Sequence, residues 1–275
     1  MHQPRSRRPS AAGVFYPAQP AILLTTVQYL IEESEAESAP AVAAIVPHAG
    51  YPYSGRTAGR VFARLKVPRR CIVVAPNHTG SGRATHGGSV YAVGSFQTPL
   101  GVIPVDEILA ADLMARCPVL EDDPDAHRTE HAIEVLLPFM FARRPDVTIV
   151  PIVLGWSDWP HTRTLGAALA ETVRASDEPV LLIASSDMNH FEPADISRPK
   201  DDQALAEALK LDGESLLDVT KRQRITMCGR VPCAAVLHAA RLLGASRAEL
   251  VDYTHSGMST GDNSSVVGYA GVIIT

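Results

Sequence analysis

Three short apolar runs, each ended by turn residues and a histidine, set the strongest limit on how this chain can fold. They are Ala41 to Val46 before Pro47-His48-Ala49-Gly50, Cys71 to Ala75 before Pro76-Asn77-His78, and Val180 to Ala184 before Ser185-Ser186-Asp187-Met188-Asn189-His190. Apolar runs of this length, closed by turn residues, read as buried strands, and the helical stretches between them imply a parallel or mixed sheet. In open α/β sheets ligands bind beyond the carboxyl ends of the strands. His48, His78 and His190 are therefore expected at one edge of one sheet. The expected fold is a three-layer α/β/α domain over residues 1–275, with a mixed, largely parallel sheet.

The intervening segments fit that plan. Helices are expected over 20–33, 55–65, 106–115, 129–143, 162–175, 201–211, 213–223 and 231–243. Residues 89–93 and 101–105 are expected to pair as strands, 148–154 to form another buried strand, and 248–253 and 264–274 to close the chain. Ala58, Gly59 and Ala63 should let their helix approach the sheet closely. The polar connection around His255 reads as a plain hairpin turn, with His255 placed to border the pocket.

Composition narrows the class. In 275 residues, 46% are hydrophobic and 20% charged, with a net charge of −5, as in ordinary globular proteins. Nothing forms a broad basic footprint for nucleic acid, and no apolar stretch reaches a membrane span. Arg5, Arg7 and Arg8 are expected to be a frayed, solvated terminus. No apolar core precedes Gly13, so a cytoplasmic location is expected. Four irregularly spaced cysteines form no disulfide framework.

Imidazole suits zinc, copper and iron, and thiolate selects softer or redox-active metals. Cys228 in Met227-Cys228-Gly229-Arg230 precedes a helix start, where the dipole and the Arg230 guanidinium would favour thiolate. If the turn at 185–190 enters a helix, Asp187 and His190 share a face and point into one pocket. Asp187 then either completes a two-His-one-carboxylate iron site or orients a ligand. His127-Arg128-Thr129-Glu130-His131 offers a competing H-x-x-E-H zinc hydrolase pattern, with Glu130 as base. Tyr51 and Tyr53 either line the crevice or pack against the following helix.

Gly13-Val14-Phe15-Tyr16-Pro17, Pro47-His48-Ala49-Gly50-Tyr51, Pro76-Asn77-His78, Glu130-His131-Ala132-Ile133-Glu134, Ser185-Ser186-Asp187, His190, Cys228-Gly229-Arg230 and Ser264-Ser265-Val266 together resemble the Memo family, in order and over nearly the whole chain. The resemblance implies a fold similar to class III extradiol dioxygenases. It implies His48, His78 and Cys228 as metal ligands, with Asp187 and His190 as catalytic groups. Tyr51, Asn77, Glu130, His131, Arg230 and His255 would line the pocket. Fe(II) is the expected cofactor, with copper or zinc as alternatives, for an oxidoreductase or dioxygenase acting on a small molecule with O2. The alternative is a metal-dependent peptide- or partner-binding protein that works with a radical-SAM protein and a third small partner and does no chemistry itself. In the extradiol enzymes a carboxylate completes the iron site. Here that role falls to Cys228, whose sulfur donates more charge and can itself oxidise.

Overall fold

The computed structural model describes residues 5–32, 37–82, 87–155 and 158–275; His2 and His86 lie outside them. The strands are β1 (Ser6–Arg7), β2 (Ala43–Val46), β3 (Arg70–Pro76), β4 (Gly88–Val90), β5 (Ser95–Thr98), β6 (Gly101–Pro104), β7 (Leu120–Asp122), β8 (Thr148–Leu154), β9 (Val180–Ser185), β10 (His190–Glu192), β11 (Ala248–His255) and β12 (Val266–Ile274). The helices are α1 (Pro20–Glu32), α2 (Tyr51–Arg64), α3 (Glu107–Arg116), α4 (Leu137–Arg143), α5 (Trp159–Ala175), α6 (Ala194–Leu209), α7 (Gly213–Arg222), α8 (Arg230–Leu242) and the short α9 (Gly257–Thr260).

Four parallel strands, in the order β2-β9-β3-β8, form the centre of the main sheet. On one side β12 joins antiparallel and carries β10 and β11; on the other, β4 and then β7 complete the sheet. Every residue of β2 and β9 is buried. Successive strand residues face opposite ways, so both faces of the sheet are covered. Helices α1, α2 and α4 form one packed group, and α3, α5, α7 and α8 the other. This is the expected three-layer arrangement, and it delivers the ends of β2, β3 and β9 to one edge.

Several local expectations are corrected. Gly59 does not face the sheet: a Cβ there would collide with the Leu30 carbonyl of α1, so glycine sets the α1–α2 approach. The close approach to the sheet is made at Gly271, whose missing side chain admits Val61. Residues 95–98, rather than 89–93, pair with 101–104, while 88–90 joins the main sheet. Helix α6 begins at Ala194, where Ile196 and Ser197 donate to the Pro193 carbonyl, and Pro199 lies inside it.

The segment 129–133 is not helical. Carbonyls that a helix would consume are taken elsewhere: Arg7 donates to those of His127 and Glu130, and Ser185 Oγ donates to that of Ala132. The arginine terminus is likewise not frayed. Arg7 is 5% exposed, pairs with Glu134 at 2.7 Å, and sits on β1, which lies parallel to β5. Glu134 also accepts from Ser10 N and Oγ, Ala11 N and the Tyr16 hydroxyl. Burial opposes its charge, but Arg7 and these donors hold its pKa below the usual carboxylate value.

Removing one member of a buried pair strands the other charge. Arg7→Ala is therefore expected to cost about 3–5 kcal/mol in urea unfolding. A loss below about 1 kcal/mol, the range of exposed pairs, would show that the pair is not holding the arm.

Candidate metal centre

His48 follows β2 and is 1% exposed. Its Nδ1 lies 2.7 Å from Ser185 Oγ, and that hydroxyl donates onward to the Ala132 carbonyl at 2.6 Å. Because the serine proton is committed, the oxygen accepts from His48 Nδ1–H. The tautomer is thus set, and the His48 Nε2 lone pair is free. Burial first, and then the neighbouring charges of His78, His131 and His190, push its pKa well down. The ring is neutral at physiological pH.

His78 follows β3. Its Nδ1 lies 2.9 Å from Glu130 Oε1, and its backbone N–H donates to Glu130 Oε2 at 2.5 Å. A carboxylate on Nδ1–H again leaves Nε2 free. Burial opposes the charge of His78, but the Glu130 hydrogen bond and charge prevail and raise its pKa. The same carboxylate accepts from Ala132 N at 2.9 Å and stands 3.5 Å from His131 Nδ1. Phe15 packs against the His131 ring at 4.5 Å between centroids, with an interplanar angle of 34°.

These contacts converge. One ring nitrogen from each of His48, His78 and His131 lies within 4.8 Å of the other two, a spacing that one metal ion could bridge. The His78 and His131 rings are nearly stacked, 4.7 Å apart, and both stand edge-on to His48. Side chains of His78 and His131 are 30% and 24% exposed, so the cluster opens to solvent on their side. Metal-bound histidines characteristically give their second ring nitrogen to a carboxylate, carbonyl or hydroxyl-type partner. Ser185 and Glu130 supply that here, and the donor set fits a borderline transition metal rather than magnesium.

Cys228 Sγ lies 3.4 Å from His48 Nε2 and receives the Asp187 N–H at 3.2 Å. Burial, and secondarily the charge of Asp187, push its pKa up, contrary to the thiolate expected from the helix start. Coordination would itself deprotonate the sulfur. Asp187 does not belong to the histidine group. Its Oδ1 accepts the backbone N–H of His48 at 2.8 Å and of Ala49 at 3.3 Å. Burial raises its pKa to about 7, against those two hydrogen bonds and the charge of His78.

The helix anticipated after Ser186 is absent. Met188 N donates to Gly268 O, Asn189 N to Asp201 Oδ1, and His190 N to Thr226 Oγ1, which stitches the segment to β12, α6 and the loop before α8. His190 begins β10 and is close enough to His48 and His78 to interact electrostatically with each; burial lowers its pKa. Arg230 begins α8 and lines a cleft with Cys228 and Pro76.

Other anticipated residues do different work. Tyr51 is buried among Tyr16 and Phe139, and its hydroxyl donates to the Val135 carbonyl. Asn77 shapes its own turn, donating to Ser81 O and accepting from Thr79 Oγ1. His255 ends β11 opposite Gly268, its Nδ1 buried without a partner among the described residues. His127, 1% exposed, is bonded through Nε2 to the Ser89 carbonyl and packs edge-on to Tyr91 and Phe96. It is not part of the histidine group, so the H-x-x-E-H zinc pattern is not assembled. Sequence reasoning placed His131 on the pocket wall, or as a zinc ligand with His127 in the H-x-x-E-H alternative, and did not single out Ser185; a serine closing a strand beside Asp187 was the available signal.

The Memo-like protein family model matches residues 7–273. The chain belongs to the Memo family. It is 38% identical over 271 residues to a MEMO1 family protein of Aquifex aeolicus, covering 98% of this chain and 99% of that one. It is 38% identical over 269 residues to a MEMO1 family protein of Methanosarcina barkeri, again covering 98% and 99%. The solved structure of an uncharacterized protein from Escherichia coli K12 superposes with a TM-score of 0.56 at 14% identity, covering 85% of this chain and 99% of that one. That likeness speaks for the fold alone.

If Glu130 orients His78, Glu130→Gln should weaken Co(II) binding about 10–100-fold at pH 8, the usual range for such partners. Protons compete with the metal for His78, whose pKa Glu130 raises, so wild-type affinity should fall as pH drops through neutrality. In Glu130→Gln the onset of that fall should move to lower pH. An unchanged titration profile would remove Glu130 from the site.

Proposed function

We propose that this Memo-family chain is a non-haem metalloprotein holding Fe(II), or alternatively copper, on His48, His78 and His131 with Cys228 beside them, and that it oxidises a small molecule with O2. The observation that carries this reading is the convergence of three imidazoles, of which His48 and His78 already have one ring nitrogen committed, to Ser185 and to Glu130. Bound there, the ion would supply Lewis acidity and redox reach towards O2. His48 is fixed by Ser185 and His78 by Glu130, so the chain spends little energy reorganising when the ion binds. The exposed edges of His78 and His131 give substrate a route in, and buried His48 with half-buried Cys228 forms the floor.

Asp187 is suited to proton handling. With a pKa near 7, its carboxyl exists in both protonation states at physiological pH, which is the condition for efficient acid–base work. His190, neutral and near His78, is the second candidate for moving a proton at a substrate oxygen. The sulfur of Cys228 makes ring cleavage of the extradiol type a poorer match than oxidations that tolerate a soft donor.

Loading with Fe(II) under anaerobic conditions should give stoichiometric iron in wild type and lower the affinity at least tenfold in each of His48→Ala, His78→Ala and His131→Ala. Oxygen uptake with a turnover substrate should vanish in His190→Ala while its iron content is kept. Full iron retention in the combined histidine variant would overturn the site. Metal binding without oxygen uptake, across reductants and small aromatic and aliphatic substrates, would overturn the oxidative reading and leave a metal-dependent binding protein.

A further inference from the structure

A cavity of about 560 Å³ lies behind the metal loop, between the N-terminal arm and the turn at Pro124–His127, with Arg5, Arg7, Arg8, Tyr91, Asp125 and Arg128 on its wall. Two of its guanidinium groups are already engaged: Arg5 pairs with Asp122 at 2.7 Å and Arg7 with Glu134 at 2.7 Å. Arg8 and Arg128 are not. Among the described residues neither side chain has a carboxylate within ion-pair distance or any hydrogen-bond acceptor. This gathering of arginines stands out in a chain of net charge −5.

Tyr91 supplies an independent sign. It is only 5% exposed, with its ring edge-on to Phe96 at 5.2 Å and to His127 at 5.9 Å. Its hydroxyl lies near enough to Arg5, Arg7 and Asp122 to interact electrostatically with each, yet it makes no hydrogen bond among the described residues. The ring is buried while the hydroxyl is not among the buried polar atoms lacking a partner, so it is open to the cavity that Tyr91 lines and free to bond a ligand there. Asp125, the carboxylate on the wall, has no cation within ion-pair distance among the described residues.

We infer that this cavity binds a small phosphorylated molecule that also carries hydroxyl groups. Arginine forks match phosphate oxygens in pairs, and two unpaired forks with a tyrosine donor exceed what one carboxylate accepts. The volume lies within the range of small-molecule sites and leaves room for an organic body beyond the phosphate. Asp125 would repel a bare phosphate but can accept from a ligand hydroxyl, which is why the ligand class includes hydroxyls. Arg7 connects this wall to the metal loop through the carbonyls of His127 and Glu130. The site itself needs no metal and is independent of the oxidative reading.

The test is calorimetric titration of metal-free, full-length protein with ribose 5-phosphate and with inorganic phosphate, alongside amide chemical shifts of Ser6 and Tyr91. Wild type should bind ribose 5-phosphate saturably at millimolar concentration or below, with shifts at both amides. Arg8→Gln combined with Arg128→Gln should weaken binding at least tenfold with an unchanged thermal midpoint. The single variants give the same test if the pair unfolds. Asp125→Asn should tighten inorganic phosphate and weaken ribose 5-phosphate. Absence of saturation in wild type, or equal affinity in the arginine variants, would overturn the site. Tightening of both ligands in Asp125→Asn would overturn the hydroxyl-bearing ligand class.

Discussion

A carboxylate sealed from water must be surrounded by donors or lose its charge, and Glu134 meets that requirement with Arg7, Ser10, Ala11 and Tyr16. All four lie in the first part of the chain, so satisfying one glutamate ties the N-terminal arm to the middle of the fold. Arg7 then uses its remaining N–H groups on the carbonyls of His127 and Glu130. These bonds hold residues 128–133 out of helix and turn Glu130 towards His78. Phe15, carried by the same arm, packs on His131. The geometry of the histidine cluster is in this sense downstream of one buried ion pair.

Around the histidines the controlling effect is mutual repulsion in a partly dry space. A proton on any one ring disfavours protons on the others, and burial adds to this most strongly at His48. Glu130 opposes the trend at both His78 and His131 and prevails only at His78. The result is an asymmetric cluster, with a deep neutral floor at His48 and a more basic, accessible rim at His78. Asp187 holds the loop after β2 through the amides of His48 and Ala49 and so positions the floor without joining the donor group.

Much of this was legible in the sequence because strand ends are where chemistry and chain pattern coincide. The β2, β3 and β9 runs are apolar throughout, and the parallel sheet they imply brings His48 and His78 together with no knowledge of side-chain geometry. Cys228 was legible through its motif, and the pattern of shared motifs named the family. Segments governed by distant partners were not legible. Residues 129–133 have helical periodicity, but their carbonyls are claimed by Arg7 and Ser185, which lie more than fifty positions away in sequence. Arg7 looked like a solvated terminus because its partner, Glu134, is 127 positions distant. The stretch from Asp187 to His190 avoids helix for the same reason, its amides being taken by Gly268, Asp201 and Thr226.

Contact between Cys228 and His48 spans 180 positions of sequence, with His78 and His131 drawn from between them. Closing loops of that length is the slow, entropically costly part of assembling a chain. No fragment ending before α8 can bring the sulfur to the floor of the site, however well its own strands pair. The full donor group can therefore assemble only after Cys228 has been synthesised, with β11 and β12 still to come. An ion held there would then record completed topology as well as its own supply.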